Sequence, residues 1–196
     1  MIRSILLTAQ GDLRRFDSAA TDLWHDNPGS FLWLDLADED PAAEEKLLLS
    51  LGIHPMAISD AQRPRHPPKV EEFDHYTLLI YRGFQRFDAE LDIDHIPLVF
   101  FVGTHFLITR HNGHSIGIEE LWKQNSELHT LLKKPAVLLT RILRSSLNGY
   151  LTGLVEMEDR LSQIEDDMMA RPTDTIMHKL VMYRSRLRKL NRVFSY

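Results

Sequence analysis

The stretch Arg141–Met168, "RILRSSLNGYLTGLVEMEDRLSQIEDDM", decides the architecture. Leu143, Leu147, Tyr150, Leu154, Met157, Leu161, Ile164 and Met168 recur at alternating steps of four and three. That spacing keeps one apolar stripe on one side of a helix and is the seam along which a long helix packs on another. The pattern sets in from Pro135. Beyond it "ARPTD" interrupts the helix at Pro172, and Thr173 or Asp174 is placed to cap a second one. Ile176, Leu180, Tyr183, Leu187, Leu190 and Phe194 repeat the spacing, so the two helices are expected to fold back as an antiparallel hairpin. The seam runs to Phe194 with no glycine stop or cap, which gives the expectation that the chain continues into something longer.

Upstream of Pro135 the signals change character. "SFLWLDL", "YTLLIYRGFQRF" and "LVFFVGTHFLITRH" are rich in β-branched and aromatic residues, the last reading as two strands and a turn. "DEDPAAEEKLLLSLG" between them has acids and a proline before an apolar-periodic run and Gly52 after it, the start and stop signals of a helix. The expected fold is α+β: a mixed α/β part over 1–133, followed over 134–196 by a long, coiled-coil-like antiparallel helical hairpin.

Composition narrows the function. A chain of 196 residues, 43% of them hydrophobic, can bury a substantial core. Its formal net charge of −5 gives no basic excess for nucleic acid, and the absence of cysteine excludes disulfides, thiolate metal sites and thiol catalysis. "IPLVFFVGTHFLIT" is broken by Gly103 and His105 and falls short of the roughly 18 residues of a membrane span, while Ile5-Leu6-Leu7 is too short for a signal-peptide core. The first hairpin helix carries Glu156, Glu158, Asp159, Glu165, Asp166 and Asp167, and the second Lys179, Arg184, Arg186, Arg188, Lys189 and Arg192. These read as solvated, mutually neutralising faces, with a basic helix for anionic lipid or nucleic acid as the sharper alternative.

Motifs for catalysis are missing: there is no nucleophile elbow, phosphate loop or zinc-binding HExxH helix, and the protein is not expected to be an enzyme. His111 and His114 have the spacing of two ligands on a helix, but Asn112-Gly113 between them is a turn signal. Asp35, read as the end of an apolar strand, is a candidate ligand or, better, the cap of the next turn. "LGIHPMAISD" predicts a turn at His54-Pro55 and a short helix ending near Asp60, and the prolines of "RPRHPPKV" then hold the chain extended into a strand near Val70.

In order along the chain stand "W-x-D-L", "G-I-H-P-x-x-I-x-D", then "K-V-E-x-F-x-x-Y" nine residues after the aspartate, "I-P-L-V-F-F-V-G-x-x-F-L-I-T-x-H", and an acidic helix ending "R-P-T-D". This series, spanning Trp33 to Tyr196, resembles the cytoplasmic domain of the CorA-type divalent cation transporters. The resemblance implies an α/β/α sandwich followed by long helices, assembled as a homopentameric funnel on the cytoplasmic side of the inner membrane. It also implies that the stalk, membrane helices and Gly-Met-Asn pore signature lie beyond Tyr196, so that contact with the membrane is made only through that region. It implies magnesium, cobalt or zinc as the ion, with no cofactor required, and gives Asp60 the role of ligand in a cation site between subunits. Three positions depart from the family pattern: Ser59 precedes the aspartate, Arg144 stands early in the long helix, and Pro67 replaces an arginine. With "YRGF" at Tyr81–Phe84, they look more like the zinc-associated ZntB branch. A free-standing, self-associating helical module is the other reading of the same chain.

Overall fold

The computed structural model describes residues 1–87, 93–124 and 127–194. In chain order the elements are β1 (Ile2–Leu7), β2 (Leu13–Phe16), α1 (Thr21–His25), β3 (Phe31–Ala37), α2 (Pro41–Ser50), α3 (Pro55–Gln62), β4 (Lys69–Glu72), β5 (Tyr76–Phe87), β6 (Ile93–Gly103), β7 (Phe106–His111), α4 (Ile116–Lys123), α5 (Leu128–Leu132), α6 (Pro135–Ala170) and α7 (Asp174–Phe194). The strands form one sheet in the order β2-β1-β3-β7-β6-β5-β4. Only β3 and β7 run parallel; the other neighbours are antiparallel.

Both faces of the sheet are covered, so its central strands β3 and β7 are buried on both sides, mostly by apolar side chains, with Asp35, Thr109, Arg110 and His111 as buried polar exceptions. Leu32, Leu34 and Leu36 of β3 pack on one face with Leu48 of α2 and Ala57, Ile58 and Ala61 of α3. Trp33, on the other face, packs with Ile118 and Leu121 of α4, Leu128 and Leu132 of α5, and Leu138 and Ile142 of α6. This is the expected α/β/α sandwich. Helix starts follow from local chemistry: the Asp40 carboxylate accepts from the Ala43 amide 3.1 Å away, with Pro41 in the first turn, and Thr173 Oγ1 accepts from the Ile176 amide. Gly52, with φ at +78°, ends the α2 turn in the left-handed region that glycine enters without steric cost.

The hairpin is also as expected, with α6 and α7 joined through 171–173. Helix α6 begins at Pro135, and its first turns are part of the sandwich: Leu138 and Ile142 are fully buried against the sheet. Its second half meets α7 through two small clusters, one of Tyr150 and Leu190 with Phe84, the other of Met157, Ile164 and Tyr183.

Candidate functional site

Asp60 lies in the last turn of α3. The His54 ring accepts from the Met56 amide, Pro55 opens the helix, and the Tyr76 hydroxyl accepts from the His54 amide at 3.0 Å, tying the helix start to β5. At the far end Arg63, before Pro64, takes extended angles (φ −69°, ψ 125°) because proline disfavours helix in the residue preceding it. The proline-containing segment then turns the chain back, so that β4 begins beside the helix it has just left. Lys69 Nζ ends up 2.7 Å from Asp60 Oδ2 and 2.7 Å from Glu71 Oε2. His66 Nε2 lies 3.5 Å, and Arg63 Nη1 3.7 Å, from Asp60 Oδ1.

Asp60 is only 8% exposed, and its immediate electrostatic environment is cationic. The hydrogen bond from Lys69, with smaller contributions from the charges of Lys69, His66 and Arg63, outweighs burial and holds its carboxyl below the usual carboxylate range. The same bonds to Asp60 and Glu71 raise Lys69. A hard divalent ion is held by several oxygens at once, and here one aspartate is ringed by an ammonium, a guanidinium and an imidazole. Among the described residues no group of three or more His, Asp or Glu side chains is placed to hold a metal. The side chains present in this chain do not fit a divalent ion at Asp60. Ser59 is exposed, and Arg144 is exposed on α6, across the sheet from α3, so Asp60 and Arg144 do not meet within one chain.

Asp35 requires a correction. It is neither a cap nor a ligand at a strand end but a fully buried residue inside β3. In the sheet register it stands opposite Arg3 of β1 on one side and Thr109 of β7 on the other. Arg3 Nε donates to Asp35 Oδ2 at 2.8 Å, the Thr109 hydroxyl donates to Oδ1, and His111 Nε2 lies 3.3 Å from Oδ1. Arg3 also reaches Glu119 of α4 and lies under the Trp122 ring, 4.2 Å from its centre. On the opposite face Arg110 Nε sits 3.3 Å from both carboxylate oxygens of Glu44. The turn after His111 is as expected, with Gly113 at φ +78°. His114 is exposed while His111 is buried on Asp35, so the two do not converge. Sequence reasoning missed these pairs because their members are 32 to 116 positions apart. The one local signal was charge set inside apolar runs, "WLDL" and "LITRH".

Comparison with known proteins gives a consistent result. A family model described as "CorA-like Mg2+ transporter protein" matches residues 28–196. The cobalt/magnesium transport protein CorA of Methanocaldococcus jannaschii is 28% identical over 167 residues, covering 80% of this chain and 49% of that protein. The chain spans about half the length of the curated relatives it matches. The solved soluble domain of the same archaeal CorA superposes with a TM-score of 0.71 at 23% identity, over 94% of this chain and 71% of that one. The ZntB cytoplasmic domain of Vibrio parahaemolyticus gives 0.55 at 15% identity, over 83% and 79%. At these identities the structural matches speak for the fold.

Proposed function

The chain belongs to the CorA-like Mg2+ transporter protein family, and on that premise we propose that it is the cytoplasmic, regulatory part of a divalent metal ion transporter. The observation that carries this reading is a family match over 28–196 together with a fold like that of a CorA soluble domain. Among the described residues no helix is long and apolar enough to cross a membrane. On this reading, translocation is the work of chain that the present residues would control. The sandwich is the anchored body, and α6 and α7 project from it as the arm that would transmit its state.

The ion is magnesium, cobalt or zinc in this proposal. Cobalt and magnesium are supported by the archaeal relative's name, and zinc rests on the resemblance of the sequence motifs to the ZntB branch. The working unit is a homopentamer on the cytoplasmic side of the inner membrane, with the divalent ion as cargo. The test is complementation: the complete reading frame is expressed in cells stripped of their own magnesium transporters, and growth at limiting magnesium and cellular cobalt and zinc contents are measured. Restored growth, or a rise in one of the three ions, is expected. Unchanged growth and unchanged contents of all three, with the protein present in the membrane, would overturn the reading.

A further inference from the structure

Helix α6 carries a second row of leucines beside the one that meets α7. Leu147, Leu151, Leu154, Glu158, Leu161 and Glu165 recur at steps of four and three, so they share one flank of the helix. On α7 the matching flank is Met177, Leu180, Arg184, Leu187 and Arg188. Both flanks belong to one face of the hairpin. Two shallow hollows run along it, the first reaching from Leu154 to Glu165 and the second from Leu180 to Asn191, and Leu161 and Leu187 line both. The floor is apolar and open to solvent: Leu151 is 61% exposed, Met177 51% and Leu187 37%. A seam of this kind is what a helix presents to a neighbour, and one hairpin alone leaves it uncovered.

Charge of one sign borders the floor on each side. Glu158 and Glu165 stand on the α6 bank, Arg184 and Arg188 on the α7 bank. All four are exposed, and among the described residues none of them forms an ion pair, so these acids and bases do not neutralise one another across the face. Leu187 shares the first hollow with Glu158, which sets Arg184 and Arg188 at the height of that acid. An occupant has to bring apolar side chains for the floor, bases for the α6 bank and acids for the α7 bank. The chain's own hairpin has that arrangement when turned by half a revolution about an axis parallel to the helices, because α7 then lies over α6 and α6 over α7. Half a turn about an axis across the helices would set acid on acid and base on base.

We propose that this face docks on the same face of a second copy, closing an antiparallel four-helix bundle in which Glu158 and Glu165 of each chain meet Arg184 and Arg188 of the other. Over 147–165 the face is roughly 28 Å long and about 20 Å wide, or roughly 560 Å² from each copy, the low end for a specific interface, so the dimer is a weak one. The contact pairs two chains, is separate from the surfaces that would close a ring of five, and does not rest on the transport reading.

The test is sedimentation velocity of the intact chain at low salt, from low to high micromolar concentration, for the parent, Glu158→Arg, Arg184→Glu and an equimolar mixture of the two variants. The parent is expected to pass from one copy to two across that range. Each substitution lies at an exposed position and acts twice in a two-fold contact, setting base against base or acid against acid. Each variant alone should therefore keep its helical signal while its dissociation constant rises at least about tenfold. The mixture should recover the dimer, since the bases of one variant then face the acids of the other. A parent of one copy or of more than two, variants that associate as the parent does, or a mixture that fails to recover would each overturn the pairing. A single-copy parent that sediments with phosphatidylglycerol vesicles would give the arginines to a lipid surface instead.

Discussion

Asp35 is the residue on which most of the buried charge depends. Its carboxylate faces Arg3, Thr109 and His111 in the middle of the sheet, where Asp35 and Thr109 are fully buried and His111 and Arg3 nearly so. Removing the carboxylate leaves His111 without its buried counter-charge and Arg3 with Glu119 alone, so Asp35→Ala should cost about 3–5 kcal/mol in urea denaturation. A loss under about 1 kcal/mol would mean that water fills the gap. The pH dependence has two limbs. Burial by itself would raise Asp35, but the hydrogen bond and charge of His111, the Thr109 hydroxyl and Arg3 together hold it below its ordinary 3.8. Burial would likewise lower His111, but its contacts with Asp35 raise it above 6.5, and Nδ1, donating to the Gly113 carbonyl at 2.7 Å, leaves Nε2 to carry the second proton toward the carboxylate. A raised histidine stabilises fully below 6.5 and loses that contribution as pH rises through its folded value; a depressed aspartate stabilises above 3.8 and loses it as pH falls. The pair therefore contributes most between these limits, and stability should decline as pH rises above 6.5 through the raised folded value of His111. His111→Gln should remove that decline, measured as denaturation midpoints against pH; an unchanged slope would place the titration elsewhere. None of this was legible in "FLWLDLA", because the partners come from strands distant in sequence. Asp60, by contrast, was placed correctly on its helix, and what stayed hidden was the path by which the prolines return Lys69 to it.

Elements meet here through glycine as well as through leucine. A Cβ on Gly117 of α4 would lie 2.6 Å from the Ile142 carbonyl oxygen of α6, a backbone atom that cannot swing aside. Gly117→Ala should therefore destabilise by about 1–3 kcal/mol by urea denaturation, although alanine alone would favour the helix by about 1 kcal/mol. Stabilisation instead would show that the crossing opens without cost. The heptad seam illustrates what periodicity can and cannot deliver. It identified both long helices and their antiparallel return, because a stripe of apolar residues on a helix has to be covered. It did not say by what. Leu143 packs with the sheet-side core, while Tyr150, Met157 and Ile164, seven apart, are the positions buried in the two smaller clusters. Leu147 and Met168 of the same seam remain 42% and 38% exposed; Leu147 lies on the part of the 36-residue α6 that the 21-residue α7 does not cover, and Met168 lies beside the turn. Met157 is 1% exposed at the centre of the outer cluster. Met157→Asp should separate the helices, with a clear loss of far-ultraviolet helical signal but no change in the emission of Trp33, which is buried beside Trp122 in the sandwich. Red-shifted tryptophan emission would show that the two parts unfold as one.

At the scale of the molecule, a 36-residue helix of roughly 54 Å joins two bodies of unequal strength. The sandwich has two cores, with fifteen buried residues on one face of the sheet and fourteen on the other. Among the described residues the hairpin has one three-residue cluster of its own, Met157, Ile164 and Tyr183, while Tyr150 and Leu190 pack on Phe84 of β5. Stability in proteins follows such local density, and thinly packed units open without the rest. The expected boundary at 133/134 coincides with the start of α6, yet the first four turns of that helix are held by the sheet, so mechanical independence should begin further along it. Hydrogen exchange read by mass spectrometry on the intact chain tests this. Amides of β3, β6 and β7 should exchange only by global unfolding. Those of 135–150 should follow them closely, because Leu138 and Ile142 are locked into the sheet-side core. Those of α6 after Leu154 and of α7 should exchange by a cheaper opening, at least about tenfold faster for each 1.4 kcal/mol that separates the two openings. A gradient of that kind would make the second half of α6 and α7 an arm whose position a small force can change, as the proposed regulatory role requires. Uniform protection from β3 to the end of α7 would instead make the chain one rigid body and leave the arm no freedom to transmit anything.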